Sequence, residues 1–399
     1  MSFAHVLWMV VIVGFVAPPA WAQRVTCVAT FSPTTGALAL EAAAVGNTRY
    51  QVRLSLAGGA AMAFQLDSAA VTTSACYDPA TFDGSAVSIP AVGVGTDSYS
   101  ATMVLAAGAV PMQFGQVIAT KNPRLVPDPG IRVNQASNPF ASVDSTGTTY
   151  LGYQDRSSGN ITRFQSATDG LGFANPTTLT YTNRSVDSRK TLMPDGRTWR
   201  LYQYDLVAKV MTSYSSTDGN SFTADAGIRY SPAAGDNNTL GVYNSYVVSD
   251  NSVILTYVGD LMGKNNLRMA RSTDNGLSFT FLKSNVLGDD GAGGGGNTFI
   301  DNKTLLLADG RRRMVTMRSN EIHSFISSDG LNYVREPGVR LKTSDFASVG
   351  ITIYSLNDPV MVRTADGRYR VYVAASTSNA TDEGPGNANW VIVSAPWSD

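Results

Sequence analysis

One short sequence recurs along the C-terminal part of this chain and limits what it can fold into. Its fullest copy is Ser272-Thr273-Asp274-Asn275-Gly276-Leu277-Ser278-Phe279. The others are Ser166-Ala167-Thr168-Asp169-Gly170-Leu171-Gly172-Phe173, Ser216-Thr217-Asp218-Gly219-Asn220-Ser221-Phe222 and Ser327-Ser328-Asp329-Gly330-Leu331-Asn332-Tyr333. Their Asp residues stand at 169, 218, 274 and 329, at intervals of 49, 56 and 55. A period of that size marks stacked units, none of which buries its apolar face alone. The local chemistry is that of a β-turn: Ser and Asp side chains bond nearby backbone, Gly accepts a positive φ, and the aromatic ring starts the next strand.

Further marks lie between these turns. Ser137-Asn138-Pro139, Val186-Asp187-Ser188, Tyr243-Asn244-Ser245, Ile300-Asp301-Asn302 and Asn357-Asp358-Pro359 open five segments, and the last three intervals between their central residues are each 57. Pro194-Asp195-Gly196-Arg197, Ala308-Asp309-Gly310-Arg311 and Ala365-Asp366-Gly367-Arg368 then supply Asp-Gly hairpin signals. Each unit reads strand, Asp-Gly turn, strand, loop, strand, Ser/Asp turn, strand, and four antiparallel strands per unit make a propeller blade. The fifth unit ends at Trp390–Trp397 without a fourth strand. Gly130-Ile131-Arg132-Val133 resembles Gly227-Ile228-Arg229-Tyr230 and Gly338-Val339-Arg340-Leu341, which follow Ser/Asp turns. Residues 130–134 are therefore expected to close the ring, which removes free sheet edges.

The expected class is all-β, with a signal at 1–22, a duplicated β domain at 23–118, a linker and closing strand at 119–136 and a five-bladed propeller at 137–399. In the small domain, Leu40, Gly46 and Tyr50 recur as Ile89, Gly95 and Tyr99, and Cys27 recurs as Cys76, all 49 residues on. The apolar run Val6–Val16 and the small-x-small site Ala20-Trp21-Ala22 predict cleavage before Gln23 and a periplasmic or secreted location. In an oxidising compartment the lone pair Cys27 and Cys76 is expected to form one disulfide. No later stretch is long and apolar enough for a membrane span. A net charge of −1 gives no electrostatic footprint for nucleic acid.

Topology decides which residues meet. The first and third turns of every blade share one end of the ring, so chemistry is expected at the other. That end collects Asn138, Asp187, Asn244, Asp301 and Asp358 from the inner strands. The loops between second and third strands add Asp155, Arg156, Asp205, Asp260, Arg318, Glu321 and His323. Paired carboxylates are what glycoside hydrolysis requires. The same acids also suit a purely structural part, accepting backbone N–H groups between blades. They suit as well a calcium ion in the central tunnel, held by Asp and Asn oxygens. His323 is the only histidine after the leader, which excludes a multi-histidine zinc site. Gly291–Gly296 borders the same end as a pliable connecting segment.

The Ser/Asp turns resemble the Asp-box of sialidase-like β-propellers, a mark of architecture that sits away from the catalytic face in those families. The acidic ring resembles that of five-bladed propeller glycosidases, including arabinan- and fructan-acting furanosidases. That resemblance implies Asp358, Asp301 and Asp187 as base or nucleophile and pKa-tuning acids, and Glu321 as the acid. It leaves Asn138, Asn244, Arg318, His323 and Asp205 as substrate-binding candidates. The chain departs from the pattern at Asn138-Pro139, where an Asp-Pro is expected, and Glu321 stands on a middle loop. No cofactor is implied, and the implied partner is a polysaccharide or glycoconjugate. A non-catalytic extracellular glycan- or protein-binding propeller is the alternative. Sialidase activity is a third reading, needing a carboxylate clamp from arginines such as Arg184, Arg189, Arg318 and Arg363. N-terminal sequencing of the exported chain should begin at Gln23, and thiol titration should find no reactive sulfhydryl before reduction.

Overall fold

The computed structural model describes residues 25–27, 29–56, 63–72, 76–94, 97–108, 112–158, 161–178, 189–205, 207–219, 221–233, 240–259, 266–287, 299–379 and 389–398. The expected signal, Asp187, Asp260 and Gly291–Gly296 lie outside these residues. Two compact units divide at Arg124 and Leu125.

The first unit is a duplicated sheet closed on itself. Strands Ala29–Ser32, Ala37–Val45, Thr48–Leu56 and Phe64–Val71 form one half, and Ala80–Phe82, Ala86–Val94, Asp97–Leu105 and Gln113–Lys121 form the other. Each half carries a bulge at the same place, between Leu40 and Ala43 and between Ile89 and Val92. Two equivalent seams close the sheet, Ala29 opposite Val92 and Ala43 opposite Ala80. Alternation along these strands sends Leu38, Leu40, Leu54, Ile89, Met103 and Phe114 into one core. The short strand Val25–Thr26 runs parallel to Cys76–Tyr77, with Val25 opposite Cys76, so the two cysteine-bearing segments lie side by side.

The second unit is a five-bladed propeller. Blade 1 comprises Ala136–Val143, Thr149–Asp155, Ile161–Ala167 and Ala174–Thr178. Blade 2 comprises Arg189–Leu192, Trp199–Asp205, Val210–Ser216 and Thr223–Ala224. Blade 3 comprises Leu240–Val247, Val253–Gly259, Asn266–Ser272 and Thr280–Lys283. Blade 4 comprises Ile300–Leu306, Arg312–Arg318 and Glu321–Ser327, with Val334–Arg335 and Leu341–Lys342 outermost. Blade 5 has Ser355–Arg363, Tyr369–Ser376 and Trp390–Ser398, and its outer strand comes from the start of the unit. There the N–H groups of Val126, Asp128 and Arg132 donate to the carbonyls of Pro396, Ser394 and Ile392, and Val133 pairs with Ile392. The segment 130–134 closes the ring as the sequence implies, and the closure begins several residues earlier.

Second strands are buried along most of their length, polar residues such as Gln154, Arg200 and Gln203 included, because both blade faces are covered by neighbours. Val253–Gly259 is buried at every residue.

All five first turns carry an Asp, two more than the Asp-Gly signals mark. Asp144, Asp195, Asp250, Asp309 and Asp366 each accept a backbone N–H two residues on, from Thr146, Arg197, Ser252, Arg311 and Arg368. The third turns work in the same way, and they also tie blades together. The Ser272 hydroxyl accepts the Gly276 N–H, and Asp274 accepts those of Leu277 and Ser278. The Gly276 carbonyl then accepts the Tyr202 hydroxyl of blade 2 at 3.0 Å. Tyr246 of blade 3 reaches the Gly330 carbonyl of blade 4, and Tyr372 of blade 5 the Gly170 carbonyl of blade 1, each at 2.8 Å. Arg132, just before the closing strand, and Arg229, just past the outer strand of blade 2, donate to the carbonyls of Leu171 and Leu277 in the turns of the following blade. Gly276 has φ +77, and a Cβ there would lie 2.0 Å from the Tyr202 hydroxyl.

Two substitutions test the ties by denaturant unfolding. Tyr372→Phe leaves the buried Gly170 carbonyl without its hydroxyl and should cost about 1–3 kcal/mol. Gly276→Ala forces a left-handed alanine into that hydroxyl and should cost more.

Candidate active site

The end of the ring opposite the turns is built on a repeated bulge. Inner-strand pairing skips between Ser137 and Phe140, Gly241 and Asn244, Ile300 and Lys303, and Asn357 and Val360. The residue thrown out in each is left-handed: Asn138 at φ 47, Val242 at 41, Asp301 at 56 and Asp358 at 50. Such a backbone costs about 1–3 kcal/mol at a non-glycine residue and persists where the surroundings over-determine it. Bulges of this kind re-aim side chains beside functional sites.

This register corrects one sequence expectation. The position equivalent to Asp301 and Asp358 in blade 3 belongs to Val242. Asn244 stands two residues further on, pairs with Thr256 and turns its amide N–H toward the Thr304 hydroxyl at 3.4 Å. The even spacing to Asn244 is a coincidence of residue type, whereas the bulge is set by backbone pairing.

Asp301 and Asp358 are brought together. Both are buried, and the Asp358 N–H approaches Asp301 Oδ2 at 3.4 Å across the boundary between blades 4 and 5. In blade 1 the matching place holds an amide. Asn138 Oδ1 accepts Arg156 Nη2 at 2.9 Å and the Ser137 hydroxyl at 2.8 Å, while Arg156 Nε donates to Ser137 Oγ at 2.5 Å. Because a guanidinium only donates, the amide oxygen must face it. Arg156 is the residue whose part the sequence did not reveal; its place just after a second strand is the only signal.

Glu321 and His323 form a separate cluster two strands out from the axis. Glu321 starts the third strand of blade 4, paired with Lys342 of the outer strand. Arg335 Nη2 donates to His323 Nδ1 at 3.1 Å, so Nε2 carries the proton and faces Glu321 Oε2 at 3.4 Å. Burial pushes His323 down to about 4, helped by Arg335 and Arg318 and opposed by Glu321. Burial alone would raise Glu321, but the His323 hydrogen bond and the charges of Lys342 and Arg335 outweigh it and hold the carboxyl below its ordinary range. A carboxyl lowered in this way favours accepting hydrogen bonds. Arg318 lies buried over the Phe299 ring, its guanidinium carbon 5.3 Å from the centroid. Asp205 and Asp155 act in their own loops, accepting the N–H groups of Val207 and Ala208 and of Ser157.

Of the arginines named for a carboxylate clamp, Arg318 and Arg363 do not converge. Arg318 ends a second strand at this face, whereas Arg363 ends the blade 5 inner strand beside the Asp366 turn, at the opposite end. Arg184 lies outside the described residues. Among the described residues, no group of three His, Cys, Asp or Glu side chains is placed to hold a metal. The axial cavity, about 390 Å³, is lined by Lys190, Lys303 and Arg363 and by no described carboxylate. A divalent cation fits that lining poorly.

No protein-family model matches the sequence, and no curated protein matches it. Solved structures do align with the fold. A thermostable family-43 glycoside hydrolase aligns over 68% of this chain and 92% of its own, at 11% identity and a TM-score of 0.50. An α-L-arabinofuranosidase from Lactobacillus brevis aligns over 68% and 93%, at 11% identity and a TM-score of 0.49. An endo-arabinase from Bacteroides thetaiotaomicron aligns over 68% and 96%, at 14% identity and 0.48. The first of these establishes a shared propeller fold.

His323 makes stability depend on pH with a definite sign. Its folded value of about 4 lies below the ordinary 6.5, so the unfolded chain binds the extra proton between them. Unfolding free energy should therefore fall as pH drops from about 6.5 toward about 4, by up to about 1.4 kcal/mol per pH unit from this group. His323→Gln should flatten that slope in urea titrations across the range.

Proposed function

We propose that this protein is an exported glycoside hydrolase whose chemistry is centred on Asp301 and Asp358. The observation that carries the reading is the pair itself. Two carboxylates stand in identical strained bulges on adjacent inner strands, close enough for one to meet the other's backbone. They lie at the turn-free end of a propeller whose fold is shared with a family-43 hydrolase. Hydrolysis of a glycosidic bond uses two such carboxyls, one giving a proton to the leaving oxygen and one activating water or attacking the anomeric carbon. Asp187 joins the proposal through its spacing: it precedes Leu192 by five residues, as Asp301 precedes Leu306 and Asp358 precedes Arg363. Glu321, held ionised, suits an electrostatic or accepting part, so the proton donor is assigned to the axial acids. Arg318, His323 and Asn138 would frame the substrate. The apolar leader and the Cys27–Cys76 pair support export and one disulfide.

A binding propeller without catalysis is the second reading. It is favoured by Asn138, an amide clamped where an acid would stand, and by the ionised state of Glu321.

Asp301→Asn and Asp358→Asn keep the shape and the hydrogen-bond acceptor. On a panel of arabinan, xylan, fructan and sialylated glycans, each should lower kcat/KM by at least about 10²-fold at unchanged Tm. Unchanged turnover in both variants removes the assignment. Saturable binding by the parent without turnover supports the second reading. Loss of turnover in EDTA, restored by calcium, would bring a metal into the site.

A further inference from the structure

Among the described residues three aromatic side chains are exposed, Tyr150 and Phe281 at 39% and Tyr354 at 43%. A single exposed ring needs no explanation by itself, so position and surroundings decide what each does. Tyr150 stands beside the Asp144 carboxylate at the first turn of blade 1, at the turn end of the ring. Phe281 is on the outer strand of blade 3, with the Arg268 guanidinium carbon 5.7 Å from its ring centroid. Tyr354 is the residue just before the inner strand Ser355–Arg363 of blade 5. It is the one of the three that lies at the turn-free end, where Asp301 and Asp358 stand.

The backbone that carries Tyr354 is fixed on both sides. Its N–H donates to the Ser376 carbonyl at 2.8 Å, and Ser355 pairs with Ser376. Ile353 before it and Ser355 after it are both buried, so alternation along the extended chain turns the tyrosine outward. Upstream, Phe346 is fully buried in the short 3-10 helix Thr343–Val349, and the Ile351 N–H donates to its carbonyl at 3.1 Å. Among the described residues no hydrogen bond, ion pair or ring contact engages the Tyr354 side chain. The chain thus presents an open aromatic face from an anchored segment.

A hydrogen-bonding group lies at the same edge. Ser319 and Asn320 form the two-residue turn between the second and third strands of blade 4, with φ 51 and 62. Two left-handed residues are what a tight hairpin turn of that length requires. Asn320 Oδ1 meets the Ser355 hydroxyl at 2.9 Å across the boundary between blades 4 and 5, and the residue is exposed. Tyr354 and Asn320 therefore flank Ser355, one with an apolar face and one with an amide.

We propose that Tyr354, with Asn320 beside it, is a platform for a sugar residue remote from the bond that is cut, so that the site takes a glycan chain and not a lone glycoside. A sugar ring carries C–H groups on its face and hydroxyls at its edge. An aromatic face covers the first and an amide meets the second, the combination of aromatic lining and a few placed polar groups that ligand sites use. A ring on an anchored backbone loses little freedom on binding. Four residues of chain lead from Tyr354 to Asp358, up to about 13 Å of extended backbone. That span places the ring past the sugar being cut and within reach of one further along the glycan. The inference rests on the hydrolase reading for where the bond is cut; the stacking contact itself is measured by binding.

The test is affinity for arabinan, xylan and fructan, measured by titration of the full chain, with KM and kcat on the same polymers and on the matching nitrophenyl monosaccharides. On a polymer that the parent binds, Tyr354→Ala should raise Kd and KM by about three- to tenfold, the worth of one aromatic face, at unchanged Tm. KM for the nitrophenyl monosaccharide should not rise with it, because that substrate does not reach the ring. Tyr354→Phe, which keeps the ring, should recover most of the lost affinity. Phe281→Ala removes a similarly exposed ring from the rim of blade 3 and should bind as the parent does. Tyr354→Ala that binds every polymer as the parent does overturns the platform and leaves the hydrolase reading standing. An equal loss on polymer and monosaccharide overturns the remote placement. A parent that binds a polymer without turnover, and loses affinity in Tyr354→Ala, supports the platform and removes the hydrolase reading. A parent that binds none of the three polymers overturns both.

Discussion

Everything in the propeller depends on burying blade faces that no single blade can cover. A four-stranded blade exposes two apolar sides, and only the next blade removes them from water. Packing alone sets no register between neighbours, since apolar contact is non-directional. The directional part comes from buried hydroxyls. Tyr202, Tyr246 and Tyr372 each reach the glycine carbonyl of a Ser/Asp turn in the blade that follows. A hydroxyl left unpaired in that interior would cost more than its bond contributes, so each tie selects one rotation of blade on blade. The Tyr372 tie spans blades 5 and 1 and so acts at the seam where the ring closes.

The candidate site follows from the same closure. Bulges at the starts of the inner strands turn Asp301 and Asp358 out of regular pairing, and neighbouring blades then hold the strained residues in place. Asp301 accepts a backbone N–H from the adjacent blade, which ties blades 4 and 5 together. Beyond the bulge the inner strands carry Lys190, Lys303 and Arg363 at the cavity lining where the bulges carry acids and an amide.

Much of this was legible as spacing. The Ser/Asp turns, the Asp-Gly turns and the orphan strand at 130–134 were readable because turns use a small vocabulary of residues with fixed local geometry. The inner-strand register was readable only in part. Asn138, Asp301 and Asp358 fall at the bulges, whereas the even interval points to Asn244 where backbone pairing puts Val242. A bulge is defined by which carbonyl meets which N–H, and residue type does not report that. Asp144 and Asp250 carry no such signal for a related reason: their turns cap backbone as the others do, without the Asp-Gly pair that advertises it.

By itself the amino-acid sequence determined the blade count, the order of strands in each blade, the duplication of the first unit and the end of the ring at which acids gather. These are properties of periodicity and local turn chemistry, which act over a few residues at a time. Only the tertiary structure decided that Asp301 meets Asp358, that Arg156 turns the Asn138 amide, that Glu321 is held ionised by His323, Lys342 and Arg335, and that Arg318 and Arg363 face opposite ends. Those outcomes depend on burial and on charges brought together from distant parts of the chain. Electrostatics in a low-dielectric interior is set by three-dimensional neighbours, and no spacing along the chain encodes it directly.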